Sequence, residues 1–569
     1  MSIKLVLSHY LAGLRERNEL DALLPELVLA MGHSVLSRPQ VGVNQAGVDV
    51  VSTCPAADGK TVVYLFVIKF GDIGRDGFFG GKQGVDPSIR EASNTFIRNR
   101  LPDGLQDCQK RIVLISNGFL KQEAQDSFAA LSKEIAERRL QSLDFWGSDQ
   151  LTPLIEEHIF DESLLLGHGK ADLRGALAIL EETDASVDRF VRFVNSCMET
   201  PVDDASASEA TRRRNFLRRC AAAAMGWAVL LVWCQTEGNL KPGVVGGEYL
   251  LLRLWADAVR ADLERDADVR ERLMNLASLQ ADALLRYYLK LAPHLAHRRE
   301  VLAYRHEHVF YMDIIYEELG RMGLTLLFLQ RTKGAEQQRD EFKRMLVEFL
   351  NEHTGWKLPV LDGQSIDISL GLLGLIGEGD TTSARAILRV LVKTFSVAVR
   401  SNRWLPVDTD SIEDAVALQE GDVDPRNYFQ TSTLFPMLGT FAALLDDKES
   451  LEQLNDVVAP RLGEVTLERW SASAELETLT GSGRSLTGVG ISKAILRLQT
   501  SPHDELQASL KAPIGAAAYE DFKWAHTPFD LLVAVSARFY RHPLPVWFSA
   551  RHSACSSGVQ AKTADWSSQ

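Results

Sequence analysis

Cysteine is sparse and unpaired in this chain. The six cysteines fall at positions 54, 108, 197, 220, 234 and 555, with no CxxC spacing among them. That argues against a zinc knuckle and against a disulfide framework. Long apolar runs are equally scarce. "CAAAAMGWAVLLVWC", Cys220 to Cys234, covers fifteen residues, short of the roughly 20 that a membrane-spanning helix needs. Gln235, Thr236 and Glu237 close it, so it is expected as a buried helix of a helical domain, with no stable membrane insertion. The flanking "RRRNFLRR" keeps membrane contact as the alternative. An excess of positive charge is also missing: 62 Lys and Arg face 76 Asp and Glu, a net charge of -14. Such a chain does not coat nucleic acid non-specifically, although a local basic cleft is compatible with the average.

Several catalytic signatures are absent. No GxxxxGK[ST] phosphate loop occurs, and no Ser-centred nucleophile elbow; "GSGRS" at 481–485 reads as a loop. His306 and His308 stand i,i+2 on an expected helix, where two side chains do not face one metal. Neither an internal repeat nor a heptad array is found. The N-terminus, "MSIKLVLSHYLAGLRERNEL", reads as an amphipathic start and not as a signal peptide, which points to a cytoplasmic location.

What is present suits 569 residues organised in two to four domains. Residues 1–165 read as α/β, in the order helix, two strands, helix, strand, helix, strand, helix. "AGVDVVSTC" and "TVVYLFVIKF" are extended segments joined by "PAADGK", whose Asp-Gly step suits a hairpin. A helix is expected over Pro87 to Arg100, a strand over Lys110 to Gly118, a helix in "KQEAQDSFAALSKEIAERR", and a last strand and helix in "LQSLDFWGSDQLTPLIEEHI". Residues 166–355 show mainly helical periodicity and are expected as a scaffold or partner-binding domain. Residues 356–569 form a mixed C-terminal region for sensing or interaction. It includes a glycine-spaced apolar stretch, loop-rich segments, a late helix in "PFDLLVAVSARFYRH" and a disordered tail.

Chemistry concentrates on Asp49 and Lys69. If Asp49 ends one strand and Lys69 sits in the next, both side chains can reach one crevice. A carboxylate there can bind Mg²⁺ through hard oxygen ligation. The ammonium can stabilise a phosphoryl transition state or orient an attacking water. Glu26, in the second half of the preceding helix, can add another carboxylate.

The stretch "PELVLAMGHSVLSRPQVGVNQAGVDVVS…YLFVIKFG" resembles the restriction-endonuclease-like superfamily with its PD-(D/E)xK motif, in particular its Mrr-like branch. Asp49 matches the motif aspartate, Lys69 the lysine and Glu26 the helix glutamate, and "LDFWGSDQLTPLIEEH" looks like the end of such domains. The resemblance covers roughly the first 160 residues. It implies a restriction-endonuclease-like fold and a Mg²⁺-dependent endonuclease acting on DNA, with Mn²⁺ able to substitute. It further implies an effector of bacterial anti-phage defence, held quiet until a protein partner or self-association activates it. Asp49, Lys69 and Glu26 would be catalytic. Asp49, the Ile68 carbonyl, Glu26 and Glu91 would hold the metal. Glu91 enters because Val67 occupies the motif's usual Glu or Gln position and cannot ligate; Asp72 and Asp76 are weaker replacements. Two other readings stay open: a non-catalytic domain that binds nucleic acid or a partner, and an unrelated α/β domain.

The loop "FGDIGRDGFFGGKQG" carries six glycines, Arg75, Lys82, Gln83 and the pair Phe78-Phe79. Aromatic and basic residues on a loop suit contact with a nucleic-acid backbone or base, and Arg75, Lys82 and Gln83 are the candidates. A mobile connection packed by two phenylalanines is the alternative.

Overall fold

"TVVYLFVIK" is apolar at nearly every position because it forms the central strand of a five-stranded sheet covered on both faces. The computed structural model describes residues 7, 11, 20–37, 46–56, 59–81, 84–159, 169–199, 208–297, 308–401, 406–421, 424, 427–462, 465–473, 475–480, 490–494, 519–545, 548–549 and 551. The chain divides into two compact units, Met1–Gly243 and Val244–Gln569. Residue 165 lies inside the first and residue 355 inside the second. The expected C-terminal tail is outside the described residues.

In the first unit, helix α1 (Asp21–Ala30) precedes strands β1 (Ser34–Ser37), β2 (Val50–Pro55) and β3 (Thr61–Lys69). Helices α2 (Arg75–Phe79) and α3 (Val85–Glu91) follow, then β4 (Gln109–Ser116), α4 (Gln122–Ala136), β5 (Gln141–Trp146) and α5 (Ser148–His158). The sheet order is β1-β2-β3-β4-β5. The first three strands form an antiparallel meander, and β3, β4 and β5 run parallel. The hairpin expected at "PAADGK" is there: Pro55 pairs with Thr61, and Gly59 takes φ +79°. β1 was not expected. Its four residues are largely exposed and lack a clear apolar alternation, so only pairing with β2 reveals it.

Strand alternation sends Val63, Leu65 and Val67 to one face, where they pack with Ile112 and Leu114 of β4 against Ile89, Ala124, Leu131 and Ile135. Each such buried aliphatic side chain contributes roughly 1.5–3 kcal/mol. The other face carries aromatic rings: Tyr64 stacks 6.0 Å from Phe66, Phe66 lies 5.7 Å from Trp146, and His33 lies 4.5 Å from Tyr64.

Helices α6 (Gly169–Ala178), α7 (Thr183–Met198) and α8 (Glu209–Glu237) complete the first unit. α8 starts where the Ser208 hydroxyl accepts from the Thr211 amide, and it ends at left-handed Gly238. It alone among the described helices is long and apolar enough to span a membrane, and 72% of its most apolar stretch is buried inside the protein. Trp227 is fully buried and donates to the Gly243 carbonyl at 2.8 Å. The apolar surface of α8 is therefore used in protein packing, as expected for a core helix.

The second unit is mainly helical, with long helices α9 (Lys241–Arg260), α10 (Ala267–Leu295), α11 (His308–Gln330), α12 (Glu336–Glu352), α13 (Ser365–Gly377) and α14 (Thr381–Ser401). The glycines of "GLLGLIGEG", expected at turns and helix boundaries, lie partly inside α13. A Cβ on Gly323 of α11 would stand 2.2 Å from the Leu370 carbonyl oxygen of α13, so the glycine permits backbone contact between two helices. Burial of charge is matched by pairing: Arg538 donates to both carboxylate oxygens of Glu248 at 2.8 and 2.6 Å. A cleft beside Ser369, Thr440 and Trp470 has a cavity volume of about 40 Å³, room for a few waters.

Candidate active site at the carboxyl end of β3

Asp49 sits in a bend immediately before β2, half-buried. Its amide donates to the Phe66 carbonyl at 2.8 Å, and its Oδ2 accepts from the Ile68 amide at 2.7 Å. The register Val50↔Phe66 places Asp49 opposite Val67. Lys69 closes β3, half-buried, two residues beyond Val67 and hence on the same side of the strand. The sequence pair expected to share a crevice is thus brought to one end of one strand pair.

The bend exists because of the turn before it. Ala46 and Gly47 both have positive φ, +52° and +79°. A Cβ on Gly47 would lie 2.4 Å from the Ser88 carbonyl oxygen and 3.3 Å from the Ala92 amide. Glycine therefore lets this turn press against α3, the helix that ends at Glu91. Glu91 is half-buried. Beyond it the helix passes into a π-helical turn, Ala92–Phe96, before a final α-turn at Ile97–Asn99. The expected helix from Pro87 to Arg100 is present with this irregularity, a type of insertion found often at functional sites.

The remaining candidates lie on other elements or serve other contacts. Glu26 is carried half-buried by α1, with Oε2 sealed from solvent. Val67 is 1% exposed in the hydrophobic core, where its side chain serves packing. Ile68 presents its amide to Asp49. Asp72 is exposed, and its Oδ1 accepts from the Phe119 amide at 3.0 Å. Arg75 opens α2, exposed, with its amide donating to Glu123 Oε1 at 3.3 Å. Asp76 is exposed on the same helix. Lys82 and Gln83 lie outside the described residues.

The glycine-rich loop has local structure of its own. It contains α2, and its first turn is fastened to the loop after β4. The Gly71 amide donates to Asn117 Oδ1 at 2.8 Å, and Ser116 Oγ donates to the Gly71 carbonyl at 2.6 Å. Asn117 is itself buried and donates to the Leu11 carbonyl at 3.0 Å. Ser116 and Asn117 escaped notice in the sequence, where "SNG" signals only a turn. Phe78 is 1% exposed and Phe79 54%, so the aromatic pair splits between core and surface.

Among the described residues no group of three His, Cys, Asp or Glu side chains is arranged to hold a metal ion. An all-protein cage is therefore not preformed by Glu26, Asp49 and Glu91. Mg²⁺ commonly needs only one or two carboxylates, with water and substrate phosphate completing its shell. The Asp49 carboxylate, fixed through one oxygen by Ile68, fits that sparser ligation.

Comparison of the chain with family models, with curated proteins and with solved structures finds no match in any of the three.

Proposed function

We propose that the N-terminal α/β unit is a restriction-endonuclease-like nuclease domain that hydrolyses DNA phosphodiester bonds with Mg²⁺. The observation that carries this reading is the Asp49 carboxylate held 2.7 Å from the Ile68 amide, one residue before Lys69. An antiparallel meander followed by a helical crossover to a parallel fourth strand also builds the sheet with flanking helices in which this pair is expected. In this reading Asp49 holds the cation, with Glu91 on the adjoining helix or Glu26 on α1 as second carboxylate. The cation, when bound, supplies Lewis-acid polarisation of the phosphate. Lys69 contributes its positive charge where charge develops on the phosphoryl oxygens. Ile68 fixes the orientation of Asp49, and the Gly47 turn fixes the distance between β2 and α3.

The anti-phage role, the activating partner or self-association and the cytoplasmic location belong to the same proposal. A net charge of -14 opposes DNA at long range, which suits an enzyme that cuts only when another event brings substrate close. Plasmid DNA incubated with Mg²⁺ and the full chain, with any co-encoded partner, tests the core of the proposal. Cleavage lost in Lys69→Ala supports it; equal cleavage by wild type and variant removes it.

A second reading is favoured by Val67, whose place in the core removes one motif ligand. There the domain keeps the fold but binds nucleic acid or a protein without cutting. Mn²⁺ binding measured on the full chain separates the two, since the binding module has no use for a cation at Asp49.

A further inference from the structure

The described residues include three exposed phenylalanines, Phe70, Phe79 and Phe119, at 53%, 54% and 51% exposure. All three lie on the loops at the carboxyl ends of β3 and β4. Phe70 follows Lys69 directly. Phe119 is joined to the same place by backbone: a Cβ on Gly118 would stand 2.4 Å from the Gly71 carbonyl carbon, and the Ile73 amide donates to the Phe119 carbonyl at 2.9 Å. Phe79 ends α2 and packs edge-on against buried Phe78, ring centroids 5.0 Å apart.

We propose that Phe70, Phe79 and Phe119 form a stacking platform for unpaired nucleobases at the mouth of the Asp49–Lys69 site. This rests on the nuclease reading and specifies its substrate: single-stranded or locally opened DNA. Three observations favour bases over a protein partner. Ile73 and Phe78, the apolar residues that lie between Phe70 and Phe79 in sequence, are buried, so they add no exposed apolar surface beside the three rings. Each ring has a cation within four residues: Lys69, Arg75 and Lys121. Arg75 and Lys121 are exposed and form no ion pair among the described residues. Of the exposed carboxylates nearby, Asp72 and Glu123 are engaged by the amides of Phe119 and Arg75, and Asp76 is a third exposed acid. Alternating rings and cations recognise a strand through base faces and phosphates, with little sequence preference.

The test is fluorescence anisotropy of the full chain with a labelled oligothymidine and with a blunt duplex of equal length, in EDTA so that no cleavage intervenes. The variants are Phe70→Leu, Phe79→Leu and Phe119→Leu. Leucine preserves apolar surface and removes the aromatic face, and the sites are exposed, so folding is retained and checked by circular dichroism. Wild type is expected to bind the single strand more tightly than the duplex. Each leucine variant should weaken single-strand binding by about 5- to 100-fold and leave duplex binding nearly unchanged. Single-strand binding equal to wild type in all three variants overturns the platform. So does light scattering that shows self-association lost on Phe→Asp but kept on Phe→Leu, since that assigns the rings to a protein interface. Cleavage that depends on Lys69 with unchanged binding by the leucine variants leaves the nuclease and removes the platform. Ring-dependent binding without any cleavage does the reverse.

Discussion

Replacing Asp49 by asparagine and by alanine separates its two duties. In the protein its Oδ2 accepts from the Ile68 amide at 2.7 Å, a charge-assisted bond. Such bonds contribute about 1.5–3 kcal/mol, against about 0.5–1.5 for a neutral pair. Asp49→Asn keeps an acceptor of nearly the same shape, so the end of β3 should lose only about 1 kcal/mol. Asp49→Ala removes the acceptor and strands a partly buried amide, at a cost of about 1–3 kcal/mol beyond the lost bond. Hydrogen exchange at the Ile68 amide, followed by peptide-resolved mass spectrometry, reads the difference directly. About 1 kcal/mol corresponds to roughly fivefold faster exchange for the asparagine variant, and the alanine variant should exchange faster by a further tenfold or more. Calorimetry with Mn²⁺ reads the second duty: an amide is a poor substitute for a carboxylate toward a hard cation, so both variants should lose the binding. Cation binding retained in Asp49→Asn would refute the role of Asp49 as ligand. Equal exchange in both variants would refute its role in fixing β3.

Gly47→Ala should lower stability by about 2–4 kcal/mol, from a non-glycine left-handed residue and a Cβ placed 2.4 Å from the Ser88 carbonyl oxygen; an unchanged melting temperature would contradict the packing described. Glu91→Gln should raise the Mg²⁺ concentration required for cleavage, whereas Asp72→Asn should not, because Asp72 is engaged with the Phe119 amide; the two titrations decide between them. Burial, with a smaller effect of His158, pushes His33 down to about 4. Below its ordinary value near 6.5 the unfolded chain binds a proton that the folded chain refuses, so stability falls as pH drops from about 6.5 toward 4, by about 2 kcal/mol at pH 5. His33→Gln should flatten that part of the stability profile, and an identical slope in wild type and variant would assign it elsewhere. Arg538→Met should cost about 3–5 kcal/mol by leaving Glu248 buried without its partner, measured as a fall in melting temperature; Glu248→Gln in the same background should restore part of it.

The local elements of the α/β region were legible because their signals are local. The apolar run of β3, the Asp-Gly hairpin and the periodicity of α4 depend on neighbours a few residues apart, and each appears where those patterns place it. So does the burial of α8, since fifteen apolar residues ended by Gln, Thr and Glu suit a protein core better than a bilayer. Asp49 and Lys69 could be singled out because a carboxylate and a lysine interrupt otherwise apolar strand patterns. Only the tertiary structure decided what those residues touch. The four largely exposed residues of β1 have no pattern of their own and become a strand by pairing with β2. Gly47 looks like any turn glycine until Ser88 arrives 2.4 Å from its absent Cβ, and Gly323 likewise until α13 lies against α11. Asn117 gains its role from the Gly71 amide, 46 positions earlier in the chain, and Phe78 and Phe79 part company because one faces the core. These are contacts between residues far apart in sequence, and their energies arise only when the chain has closed on itself, so no window along the sequence could contain them.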